Sequence, residues 1–180
     1  MSIETYCEQL DAIERAAREL FRGLTDAQLN WQPNPADWSI GQCVSHLVVS
    51  GRAELPFLDR AIREGREGNT FGNEPFRYGL LGNWFVRLMD APAKMKFKAP
   101  KVYWLSTGRF TVESSAEAFF SLQNELKHAL KESAGLHLAK IRVATPVTRF
   151  ITFSLGQEFA LILAHERRHL WQAQRIKDLI

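Results

Sequence analysis

Residues 154–177 read SLGQEFALILAHERRHLWQAQRIK, and within them Leu155, Phe159, Ile162, His165, His169, Ala173 and Ile176 recur at steps of three and four. That is the period of a helix burying one stripe. Ser154, followed at the third helical position by Gln157, predicts a capping box, so the helix opens at SLGQ and continues to about Lys177. His165 and His169 interrupt the apolar stripe four residues apart, which sets their Cβ atoms about 5–6 Å from each other on one face.

The same opening grammar occurs upstream as SIGQ at 39–42, where Ser39 is the N-cap, Gln42 the third helical residue, and Trp38 packs on Cys43 as a hydrophobic staple. This second helix is expected to reach about Glu64, kinked or shortened by Pro56, which removes one backbone hydrogen bond. Its inward face carries His46, with Gln42, Cys43, Val49 and Ser50 within one turn. Four shared letters are read as repeated capping chemistry, not as a repeat.

Before it, Ile3, Cys7, Leu10, Ala17, Phe21 and Leu24, widened by Ile13 and Leu20, predict a first helix over about 3–24. TDAQLNW is a short acidic turn that Thr25 can cap and Gln28 can close, and the two prolines of QPNPAD forbid helix there. A third helix is predicted from Ser114, with Glu117 completing its capping box. It buries Phe119, Gln123, Leu126 and Leu130 and ends near Ser133 and Gly135.

Between the second and third helices, residues 65–115 read as a long crossover containing a short apolar helix candidate, GLLGNWFVRLMDA, and the lysine-spaced run KMKFKAPK. No stretch of helical length shows two-residue alternation. The reading is an all-α, antiparallel four-helix bundle with a long crossover, forming a single domain over 1–180.

Composition agrees with one core: 180 residues, 46% hydrophobic and 24% charged, disfavour disorder and disulfide scaffolds. A net charge of +3 gives no reason to expect nucleic acid or an anionic membrane, so the expected partner is a small molecule. The N-terminal stretch lacks the apolar run of a secretory signal and the longest uninterrupted apolar stretch of the last helix is FALILA, which points to the cytoplasm. Cys7 and Cys43 are then expected as buried thiols, and two cysteines exclude a cysteine-based zinc knuckle.

Of five histidines, His128 falls opposite its helix's apolar stripe and His137 lies in a connector. The other three can converge. Burying two imidazoles on an apolar stripe costs desolvation unless both find partners, and a bundle core is where facing helices build metal sites. Three neutral nitrogens from His46, His165 and His169 at about 2.0–2.1 Å from an ion would leave a fourth position open, as catalytic sites do. The bland alternative is a set of core histidines satisfied by hydrogen bonds.

His165 to His169 also satisfies HExxH, the zinc-protease pattern. Eleven residues follow His169, none of them Glu or His, so a downstream third ligand is missing. His46 supplies the third position from upstream, which replaces the protease reading by a bundle-core site.

WSIGQCVSHL at 38–47, preceded by NWQPNP, and AHERRHLWQAQRI at 164–176 closely resemble the two signature segments of the DinB/YfiT-like superfamily. The resemblance spans the whole chain in order and length and implies a four-helix bundle with a three-histidine metal centre, commonly nickel or zinc. Its ligand on the second helix falls on His46, and its two ligands on the last helix fall on His165 and His169. It further implies a metal-dependent hydrolase or a thiol S-transferase that uses a low-molecular-weight thiol.

In such a site the ion lowers the pKa of a bound nucleophile, and Glu166 is the candidate catalytic proton acceptor. Glu166 is rotated about 100° from His165 and about 60° from His169, so its alternatives are to hold a ligand's far nitrogen or to sit at the core edge. Gln42 and Glu158 are further candidates to accept an imidazole N–H. Cys43, one turn before His46, either touches the ion or is a small buried hydrophobe. Lys94, Lys96, Lys98 and Lys101 form either a rim for anionic thiols or a solvated loop. Trp171 packs under the crossover or joins a second subunit, which would make a homodimer. The competing class is a non-catalytic metal-binding bundle in which the ion only ties helices together.

Overall fold

A computed structural model describes residues 1–92, 108–145 and 152–180. In chain order the elements are α1 (Ile3–Phe21), α2 (Asp26–Asn30), α3 (Ile40–Glu67), α4 (Leu80–Met89), α5 (Val112–Glu132), β1 (Arg142–Ala144), β2 (Thr152–Ser154) and α6 (Leu155–Lys177). The four long helices are α1, α3, α5 and α6. Lys94, Lys96, Lys98 and Lys101 of the crossover lie outside the described residues, as does Pro146.

Capping chemistry sets the helix starts. Ser39 and Ser154 both form complete capping boxes, with Gln42 and Gln157 at the third position. The glycine inside each box has a second reason: a Cβ on Gly41 would collide with the Phe110 ring, and one on Gly156 with the Tyr78 hydroxyl. The shared letters SIGQ and SLGQ thus mark two helix starts that aromatic side chains press against.

Several boundaries differ from the sequence expectation. The acidic turn after α1 closes into the short helix α2, with Thr25 and Gln28 forming its box. α1 stops at Phe21, three residues early, because Arg22 leaves helical geometry at ψ 120° and Gly23 takes a positive φ of 72°, which turns the chain towards the Thr25 cap. α5 begins at Val112, because Thr111 takes the N-cap role, accepting from Ser114 N at 3.2 Å. That earlier start also lets the Val112 N–H reach Asp26 Oδ1 at 2.8 Å.

α3 is not shortened at Pro56 but runs through it to Glu67. Both Pro56 and Arg52, whose carbonyl loses its partner, are solvent-exposed, so water can take the freed acceptor. An interior proline costs about 3 kcal/mol. The buried Ile40, Val44, Leu47, Leu58 and Ile62 of the same helix each contribute about 1.5–3 kcal/mol, so burial wins.

Around the core each long helix packs on two others, in the cyclic order α1, α5, α3, α6. Side-chain pairs give the directions. Lys127 bonds Asp11 while Arg18 lies over Phe120, so α1 and α5 are antiparallel. Tyr6 reaches Gly156 while Lys177 reaches Leu20, so α1 and α6 are parallel. Arg52 approaches Glu125 and Arg66 donates to the Glu132 carbonyl, so α3 and α5 are parallel too. A parallel pair in direct succession needs a long return, and residues 68–111 provide it.

Two short strands pair as an antiparallel ribbon, with Arg142 opposite Ser154. At three residues each they are too short for an alternation to show in sequence. β2 runs directly into α6, so Ser154 ends a strand and caps a helix. α4, the apolar candidate of the crossover, meets β2 through a Phe85–Phe153 stack at 5.5 Å and α6 through a two-bond Arg167–Asp90 pair at 2.8 and 2.7 Å. Cys7 and Cys43 are free, Cys43 buried and Cys7 partly so. Among the described residues no helix is long and apolar enough to cross a membrane.

Candidate metal centre

His46 sits on the second turn of α3, whose register is set by the Ser39 box: the Ser39 N–H donates to Gln42 Oε1 at 2.8 Å and the Gln42 N–H to Ser39 Oγ at 3.1 Å. His165 and His169 come from successive turns of α6. Across the helix interface His46 Nε2 lies 3.1 Å from His165 Nε2. The ring centroids are 5.0 Å apart for His46 and His165, 4.7 Å for His46 and His169, and 4.6 Å for His165 and His169. One potential ligand atom from each ring falls within 4.8 Å of the other two. His46 and His169 are buried, His165 at the edge.

The His165 and His169 rings are held neutral. Burial, then the neighbouring His46 and Arg168, push His169 down to about 3, against a weaker opposing effect of Gln172. His165 is held well below its ordinary range by burial, then by His169, His46 and Arg168. A neutral imidazole keeps a lone pair for a cation. Three nitrogens on one tetrahedral ion would stand about 3.3 Å apart, from ligand distances of about 2.0–2.1 Å, and the His46–His165 pair at 3.1 Å already matches. The donor set therefore suits a borderline divalent cation, for which imidazole is the usual ligand.

Glu166 lies elsewhere. Its Oε1 accepts from Gln123 Nε2 on α5 at 2.6 Å, deep in the core. Burial pushes its carboxyl up to about 8, against Gln123 and Arg167. Gln123 Oε1 and Glu166 Oε2 are both buried without a donor, a situation a neutral acid, which carries its own O–H, relieves. The 100° rotation between adjacent helical residues thus points Glu166 at α5 while His165 faces α3. Glu166→Gln is expected to keep metal affinity and turnover within about threefold of wild type, since an amide retains the Gln123 contact. Turnover kinetics check this: a drop of about a hundredfold or more would mark Glu166 as the proton acceptor.

The other candidates separate in the same way. Gln42 Oε1 is used by the Ser39 cap and by Gln32 Nε2 at 3.0 Å. Cys43 is fully buried, its thiol pushed up to about 12 by burial, and it is not in the histidine group. Glu158 lies about two turns below His165 and faces Glu54 of α3. Burial first, then Glu54, push it up to about 8. Glu54 had a signal in the sequence, standing eight residues beyond His46 on one stripe, but an acidic residue there reads as surface until its burial is seen. His128 is exposed, and His137 packs on Phe76 at 5.1 Å. Trp171 is half-buried with Arg175 over its ring at 5.0 Å.

Trp38, read in sequence as a staple on Cys43, packs against the core cluster that includes Cys43 and also lies against the histidines. Its ring centroid is 5.0 Å from His46 and 5.5 Å from His169, its plane nearly parallel to that of the latter at 22°.

A family model described as the DinB superfamily matches residues 9–173. One solved structure is described in the words "YfiT from Bacillus subtilis is a probable metal-dependent hydrolase with an unusual four-helix bundle topology". It is 15% identical, aligns over 99% of this chain and 89% of its own, and has a TM-score of 0.63, a likeness of fold. No curated protein matches the chain significantly.

Proposed function

This chain belongs to the DinB superfamily, and we propose that it is a metal-dependent enzyme in which His46, His165 and His169 hold one divalent cation, zinc or nickel, and a small molecule is the substrate. The reaction is hydrolysis or transfer to a low-molecular-weight thiol. The observation that carries this is the convergence of three imidazoles from α3 and α6 with their potential ligand atoms within 4.8 Å. The description of the Bacillus subtilis protein as a probable metal-dependent hydrolase supports the hydrolytic branch.

A cation bound there supplies Lewis acidity, lowering the pKa of a coordinating nucleophile towards neutrality. The chain's own residues do the rest by holding still. The Ser39 box sets the angular position of His46, and the Arg167–Asp90 pair ties the α6 turn between His165 and His169 to the end of α4. Burial keeps the His165 and His169 rings unprotonated at cellular pH, so neither has to lose a proton before a cation binds.

A second reading is a cation that only ties α3 to α6, favoured by the rings coming from two separate helices. Metal analysis of protein purified without chelator or nickel resin, followed by ester and amide hydrolysis and thiol-transfer assays on the same samples, separates the two. Stoichiometric metal with turnover supports the enzyme. Stoichiometric metal that raises the melting temperature, with no turnover of any of these substrates, supports the tie. Metal-free protein that takes up no zinc or nickel overturns both.

A further inference from the structure

We propose that Trp38 is the positioning residue of this centre: its indole, laid on His169 and against His46, holds rings from two helices at the angles needed to share one cation. This rests on the metal reading above.

A ligating imidazole is normally oriented by a hydrogen bond from its second nitrogen. His169 Nδ1 is buried with no partner at hydrogen-bond distance, and the hydrogen-bonding effect of Gln172 on this ring is the smallest of those acting on it. Rotation of an imidazole about its second side-chain torsion is otherwise broad, so something else must set the plane of the ring. The nearly parallel contact with Trp38, 22° and 5.5 Å between centroids, does so by leaving a flat ring one comfortable orientation. The same indole meets His46 at 5.0 Å and 59°, so one side chain braces a ligand on α3 and a ligand on α6.

Trp38 is itself well anchored. It immediately precedes the N-cap Ser39 and packs against the apolar core. Gln32 Nε2 donates to the Asp37 carbonyl at 2.7 Å and to Gln42 Oε1 at 3.0 Å, tying the approach segment to the capping box. The stretch from Trp38 to His46 therefore acts as one unit, in which the box that starts the helix also sets the indole over the ligands.

The test is titration of metal-free protein with Co2+ in competition with a chromophoric chelator, on wild type, Trp38→Phe and Trp38→Leu, with the melting temperature of each metal-free form. Trp38→Leu is expected to weaken Co2+ binding about 10- to 100-fold, the usual cost of losing a residue that orients a ligand, and to alter the visible Co2+ spectrum. Trp38→Phe keeps a flat ring and should restore affinity to within about threefold of wild type. A residue that only packs would lower the melting temperature of Trp38→Leu and leave affinity and spectrum unchanged.

Wild-type affinity in Trp38→Leu, or equal losses in the Leu and Phe variants, overturns the proposal with the metal site intact. Wild type that binds no Co2+ removes the site and this proposal with it. If Trp38→Leu does not fold, Cu2+ bound to wild type must quench the tryptophan emission that Trp38→Phe lacks. Identical quenching in wild type and Trp38→Phe overturns the proposal.

Discussion

Replacing His46 with alanine is expected to abolish stoichiometric Zn2+ or Ni2+ binding while the helices remain. The reason is geometric. His165 and His169 lie one turn apart on α6, and without His46 they offer two nitrogens from one helix and none from the facing one. The affinity loss should exceed the 10- to 100-fold that removing an orienting neighbour costs, so about a hundredfold or more. Added metal at about a thousand times its Kd stabilises the wild-type protein by about 4 kcal/mol, which for a chain of this size raises Tm by roughly 10 °C. His46→Ala should show no such rise. Equilibrium dialysis with metal analysis and a melting curve with and without metal check both halves. If His46→Ala turns substrate over like wild type, metal catalysis is excluded.

The metal-free protein should lose stability as pH rises from about 6.5 to 8, and Glu158→Gln should remove a large part of that loss. Glu158 is buried against Glu54, and both effects raise its carboxyl from 4.5 to about 8. Glu166 is raised to about 8 by burial. A raised acid binds more protons folded than unfolded, so its stabilising contribution is complete below about 4.5 and is lost as pH climbs through 8.

The histidines run the other way. His169 falls from 6.5 to about 3, so its contribution is complete above about 6.5 and is lost as pH drops towards 3. Between about 4.5 and 6.5 the two slopes oppose each other, and above 6.5 only the carboxyl slope remains. Over the upper window each carboxyl accounts for on the order of 2 kcal/mol, several degrees in Tm. Melting temperatures of chelator-treated protein at pH 6.5, 7.5 and 8.5 check this. A flat profile in wild type, or the same slope in Glu158→Gln, would refute it.

Much of the site was visible in the sequence because helical periodicity is local. His165 and His169 share a face by their spacing alone, and His46 falls inward on a helix whose first residue a Ser-x-x-Gln box announces. The starts of α3 and α6 were legible for the same reason, since a cap is a contact between residues three apart. The start of α5 was misplaced by three residues because Thr111 and Ser114 compete for one role, and a contact from Asp26, far back in the chain, selects Thr111. That Glu166 meets Gln123 was not legible, because HExxH specifies spacing but not which neighbour each face meets.

By itself the chain determined four long amphipathic helices, three of their histidines as inward-facing, and the capping residues that set the register of α3 and α6, all consequences of interactions within one turn. Which helices lie side by side, and in which direction, was decided by packing between residues far apart, such as His46 with His165 across 119 positions. The same packing turned Glu166 to Gln123, brought Glu54 to Glu158 and laid Trp38 on the histidine rings. A period of 3.6 residues says which face of a helix turns inward. Only the close-packed core, where each side chain must fill the space its neighbours leave, says what that face meets.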